Sequence, residues 1–161
     1  MDLNYSENKI RDTALYRTIL DNWQKSDSLN LAEAKNIFRQ YGFPGYNLVG
    51  KNASNNFWII VQHADNDATF QEEYLRSMQN EISANNANIS NYAFLVDRVK
   101  CNKKEKQVYG TQLWLNKNKT SFAMPDVIEP EKLNDRRKSV GLNSIDEYLK
   151  EMNEVYKGKL E

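Results

Sequence analysis

Residues 57–65 read Phe57-Trp58-Ile59-Ile60-Val61-Gln62-His63-Ala64-Asp65, an unbroken apolar run followed by a polar step that contains the chain's lone histidine. Apolarity on every side, rather than along one stripe, predicts a helix from about Ser54 to His63 at the centre of the fold. Just before it, Phe43-Pro44-Gly45-Tyr46-Asn47-Leu48-Val49-Gly50 cannot be regular helix. Pro44 and Gly45 mark a turn, and Gly50 permits a second reversal. Because it carries Phe43, Tyr46, Leu48 and Val49, this loop is expected to pack down and help wall a cleft. Two further helices are expected upstream. One runs from about Asn8 to Trp23 with Ile10, Ala14, Leu15, Ile19 and Leu20 near helical spacing. The other is opened by Asn30 and Glu33 as a capping box, striped by Leu31, Ala34, Ile37 and Phe38, and stopped by Gly42.

Downstream, Asp65, Asn66 or Asp67 can cap an amphipathic helix striped by Phe70, Tyr74, Leu75, Met78 and Ile82. After the asparagine-rich residues 85–88, Ser90 can cap a helix through Tyr92, Leu95, Val96 and Val99, although residues 94–99 also read as a strand. Val108, Tyr109, Thr111, Leu113, Trp114 and Leu115 then give a strand signal. Lys117-Asn118-Lys119 can turn it back into residues 121–124, predicting a β-hairpin near 107–124. Pro130 fits the first turn of a short helix ending near Gly141. Ser144 with Glu147 opens a last helix with Ile145, Tyr148, Leu149, Met152 and Val155 on its apolar face. The expected class is mainly α (α+β): a compact helical domain of about six to seven helices with one small antiparallel hairpin, a single domain over residues 1–161.

Composition narrows the function classes. With 40% hydrophobic and 27% charged residues, the 161-residue chain has an ordinary soluble globular profile, long enough to bury a core without staples. Its 22 basic and 22 acidic residues cancel, so the overall field does not call for a polyanion. Between Arg98 and Lys119 seven basic residues face one acid, Glu105, which reads as a solvated turn and strand end. One cysteine, Cys101, excludes an internal disulfide and a cysteine-rich zinc site, and it reads as a plain thiol rather than a nucleophile. There is no GxGxxG and no GxxxxGK[ST], so no dinucleotide or P-loop role is indicated, and nucleic acid is not an expected partner. No apolar run approaches ~18 residues, and the first residues carry no export signal, so a cytoplasmic protein without membrane association is expected. No metal or other cofactor is expected: one histidine with scattered acids is a poor ligand set.

Several short motifs occur in a fixed order: Gly42-Phe43-Pro44-Gly45 with Val49-Gly50, then Gln62-His63-Ala64-Asp65 with Phe70-Gln71, then Leu95-Val96-Asp97-Arg98-Val99. Gln107-Val108-Tyr109-Gly110-Thr111-Gln112 follows, and Asn134-Asp135-Arg136-Arg137 precedes Val140-Gly141-Leu142. Together, over about residues 30–150, they resemble a bacterial domain family of unknown function. The resemblance implies that Gln62, His63, Asp65, Gln71, Asp97, Arg98, Tyr109, Thr111, Gln112, Arg136 and Arg137 belong to the family pattern. It brings no activity, cofactor or substrate with it.

The chemistry of that set supports two readings. In the first, His63 is the acid/base of a small hydrolase or transferase, since imidazole titrates nearest neutrality. Asp65 or Asp97 would orient the ring, and Arg98, Arg136 or Arg137 would stabilise developing negative charge. Gln62, Asp97, Tyr109, Thr111, Gln112, Arg136 and Arg137 would then hold the substrate, although Tyr109 and Thr111 share one face of a strand while Gln112 takes the other. In the second, the same polar groups form a structural network, and the domain is a non-enzymatic module for a protein partner, of the immunity type for example. A small molecule or a protein is the expected partner under either reading, and a homodimer suits both.

Overall fold

The computed structural model describes residues 14–118 and 120–157, with the side chains of Ala14 and Leu15 left aside. Six α-helices and one 3-10 turn account for its regular structure: α1 (Ala14–Tyr41), α2 (Tyr46–Gln62), α3 (Ala68–Ile82), α4 (Ile89–Asn102), the 3-10 turn Pro130–Lys132, α5 (Leu133–Ser139) and α6 (Ile145–Lys157).

The two upstream helices are one. α1 runs 28 residues without a break, and residues 21–30 are all exposed. The Asn30–Glu33 pattern does not start a helix because no Gly or Pro interrupts residues 24–30, and a capping residue inside a propagating helix merely costs a little propensity. Residues 8–13 of the expected first helix lie outside the described residues.

α2 begins earlier than expected. Residues 46–49 form one helical turn, and Gly50, at φ +77°, kinks the chain before the main helix continues. That left-handed conformation is open to glycine at little cost. The short turn leaves Leu48 and Val49 exposed, while Phe43 packs against Tyr74 with ring centroids 5.0 Å apart. Nor is α2 wholly buried: Ile59 is 40% exposed, so its run has an outward face after all.

The more central helix is α4, along which every residue from Ser90 to Cys101 is at least half-buried. Residues 94–99 are therefore helix, not strand. Asn88 caps α4, its side chain accepting from the Ser90 and Asn91 amides, whereas the expected cap Ser90 sits inside the first turn and donates its hydroxyl to Val140 O at 2.8 Å. Asp67 caps α3 by accepting from Phe70 N at 3.0 Å. Ser144 and Glu147 form the expected reciprocal box at α6.

The expected β-hairpin is not formed as a strand ladder among the described residues. Among the described residues only two isolated bridges occur, Leu115 with Phe122 antiparallel and Gln107 with Val127 parallel. A ladder needs free backbone donors and acceptors, and residues 107–112 give theirs to side chains and to another segment instead. Gly110, at φ +65°, also breaks the extended run. The architecture is mainly helical, with residues 103–118 and 120–129 as irregular chain between its helices.

Candidate functional site

The polar residues singled out in the sequence separate into three groups. The first is His63 itself. It is the C-cap of α2 and exposed, and its hydrogen-bond contact is the Gln62 side-chain amide, 3.5 Å from Nε2. It borders a groove of ≈ 630 Å³ between α1 and α2, together with Gln24, Asp27, Asn30, Ile59 and Ile60. No hydrogen bond or ion pair among the described residues joins it to Asp65, Asp97 or Arg98. Gln24 and Asp27 carried no signal in the sequence and Asn30 only that of a helix cap, because their approach to His63 depends on α1 being continuous.

The second group ties the α2–α3 corner to α4. Asp65 accepts from Arg98 Nε at 2.8 Å and Nη2 at 2.6 Å, a bidentate fork, and from Asn102 Nδ2 at 2.9 Å. The Arg98 hydrogen bond holds the Asp65 carboxyl below its ordinary range. Buried Gln71 fastens the same corner by donating to Val61 O and Gln62 O at 3.1 and 3.2 Å.

The third group is the largest and centres on Asp97, fully buried on α4. Its Oδ1 accepts from Val108 N at 2.7 Å and Tyr109 N at 3.0 Å, and its Oδ2 from Thr111 N and Thr111 Oγ1, both at 2.9 Å. The carbonyls of that loop are met from the opposite side. Arg137, 1% exposed, donates from Nη1 to Tyr109 O at 2.7 Å and Gly110 O at 3.3 Å, and from Nε to Asn143 O at 2.7 Å. Its guanidinium lies over the Tyr148 ring, 4.9 Å from the centroid, and the Tyr148 hydroxyl donates to Thr111 O at 3.1 Å. Arg136 donates to Val108 O at 2.7 Å and to Ile128 O.

Gln107, part of the 107–112 motif but not among the expected site residues, plays the part of a strand neighbour within this group. Its side chain donates to Gln112 O and accepts from Gln112 N, both at 2.9 Å, while its backbone pairs with Asp126 and Ile128. Gln112 reaches Thr111 Oγ1 and Phe94 O. A buried anion and a buried cation thus clamp one loop from its two sides, each held by several hydrogen bonds, which is the condition under which buried charge is tolerated. Burial lowers the Arg137 pKa, and the Asp97 charge acts in the opposite direction.

Chemically, the third group offers little to a substrate, because its donors and acceptors face one another. Cys101, at the C-terminal end of α4, is also quiet: burial pushes its thiol up to about 11. No helix of the described residues is long and apolar enough to cross a membrane. No curated protein and no solved structure matches the chain. A family model does match, over residues 17–161, and the chain belongs to that family, described as a family of unknown function (DUF6624).

Proposed function

We propose that the domain is a non-enzymatic binding module for a protein partner, with its polar motifs serving as scaffold. One observation carries this reading: the Asp97 carboxylate is occupied by three backbone amides and a hydroxyl of residues 108–111. A catalytic carboxylate must keep an oxygen for substrate or for the base it orients. Large apolar side chains left more than half exposed are where a protein partner would gain most on binding, among them Trp23 and Leu29 on α1 and Trp114 and Met124 on the irregular segment.

A second reading, the small acid/base hydrolase or transferase, is favoured by the imidazole bordering a groove with Asp27 and Gln24. One experiment separates the two. Wild type and His63→Ala are screened against ester, phosphoester, glycoside and peptide substrates, and each is used as bait for a stoichiometric partner. The binding reading expects no turnover that depends on His63, and a partner retained by His63→Ala but lost by Trp114→Ala. Turnover abolished in His63→Ala would overturn it in favour of the enzyme.

A further inference from the structure

On the opposite side of α2 from His63, beside the Gly50 kink, lies a smaller hollow of ≈ 250 Å³ bordered by α2, α3 and the first turn of α4. Two of its side chains are buried with polar atoms left over. Trp58 is 9% exposed and Tyr74 is 0% exposed, yet neither Trp58 Nε1 nor the Tyr74 hydroxyl has a hydrogen-bond partner. An orphaned donor at such a depth is costly, so a natural core rarely keeps two of them around one hollow without an occupant.

The remaining lining says what kind of occupant fits. Lys51 contributes an ammonium whose described contact is the Tyr46 ring, 5.7 Å from its centroid, and no carboxylate borders the hollow. Two of the four asparagine carbonyls at the rim are already engaged: Asn55 Oδ1 accepts from Asn91 Nδ2 at 3.0 Å, and Asn88 Oδ1 accepts from the Ser90 and Asn91 amides. The indole N–H and the ammonium can only donate. The start of α4 adds the positive end of a helix dipole. The hollow therefore presents donors and positive potential over aromatic walls.

We propose that it binds a small organic carboxylate, whose oxygens accept from Trp58 Nε1 and the Tyr74 hydroxyl once side-chain movement on binding uncovers these two occluded atoms, with Lys51 as countercharge at the rim and the carbon portion against the Tyr46 and Trp58 rings. The site shares no residue with the Asp97 network or with His63, so its failure and that of the binding-module reading are separately visible.

The test follows the Trp58 indole N–H resonance of the whole chain during titration with lactate, succinate and benzoate, and with a tripeptide carrying a free or an amidated C-terminus. A saturable shift with at least one free carboxylate is expected, weakened about tenfold in Lys51→Met, an exposed position whose replacement leaves the fold intact. Tyr74→Phe should weaken binding similarly while leaving the unliganded melting temperature equal or higher, because it deletes an unpaired hydroxyl. A response to the free but not the amidated peptide, with none to the small acids, would identify a chain terminus as the source of the carboxylate. An indole resonance unmoved by every probe up to tens of millimolar, or shifts identical in Lys51→Met, would overturn the proposal and leave the hollow to water.

Discussion

Residues 34–99 bury a knot of aromatic rings, whereas residues 107–149 bury a glutamine amide, a threonine hydroxyl and a guanidinium. In the first region Phe38, Phe43 and Phe57 surround Tyr74 with centroids 5.0–5.8 Å away, and Phe70 meets Phe38 edge-on at 5.6 Å. In the second the buried hydrophobic side chains among the described residues are Val127, Leu133, Val140 and Ile145, with Tyr148 and Leu149 packed against the Val127–Leu133–Ile145 cluster. The difference follows from backbone chemistry. A helix satisfies its own amides and carbonyls, so helices can meet through apolar faces alone. An irregular segment cannot, and once buried it must borrow partners from side chains. Asp97 and Arg137 are those partners, and this explains why a domain of helices retains so many polar motifs in its interior.

Substitutions at the two centres should therefore behave differently. Asp97→Ala should have the largest effect, about 4 kcal/mol in denaturant unfolding, since it strands four donors and leaves Arg137 buried without its countercharge. Phe38→Ala, in the aromatic knot, should cost about 3 kcal/mol through lost burial and a cavity. A smaller loss at Asp97 than at Phe38 would erase the distinction between the regions.

Smaller effects sharpen it. Asp65 is held below the ordinary carboxylate range by Arg98, so its contribution is fully present above the unfolded-state pKa and disappears as pH falls through the lower folded value. Because the pair is partly solvated, Asp65→Asn should cost only a few tenths of a kcal/mol at neutral pH and flatten the acid limb of a stability–pH curve. His63→Ala should shift unfolding by no more than about 0.5 kcal/mol, as befits an exposed cap residue. A shift of several kcal/mol at His63 would mean the imidazole has structural partners of its own.

Local rules made much of the helical region legible. The Asp67 cap, the Ser144–Glu147 box and the stop after Tyr41 are written within a few residues of where they act. The length of α1 was not, because a capping pattern looks the same at a helix start and within a helix. The hairpin reading failed for a non-local reason. Val108, Tyr109 and Thr111 have strand-like side chains, but their backbone groups are claimed by Asp97 eleven to fourteen positions earlier and by Arg137 more than twenty-five later. The structure groups the polar residues differently from the expected site: Asp65 and Arg98 pair with each other rather than with His63, Asn102 joins them without a local sign, and Gln107 pairs with Gln112.

The clamp on residues 108–111 is tested most directly by amide hydrogen exchange, residue by residue, in wild type and Asp97→Asn under native conditions. The Val108, Tyr109 and Thr111 amides should be slow to exchange in wild type and lose most of that protection in the variant, while amides in the middle of α3 keep theirs. Fast exchange of those three amides in wild type, or unchanged protection in Asp97→Asn, would contradict a scaffold role for the buried carboxylate.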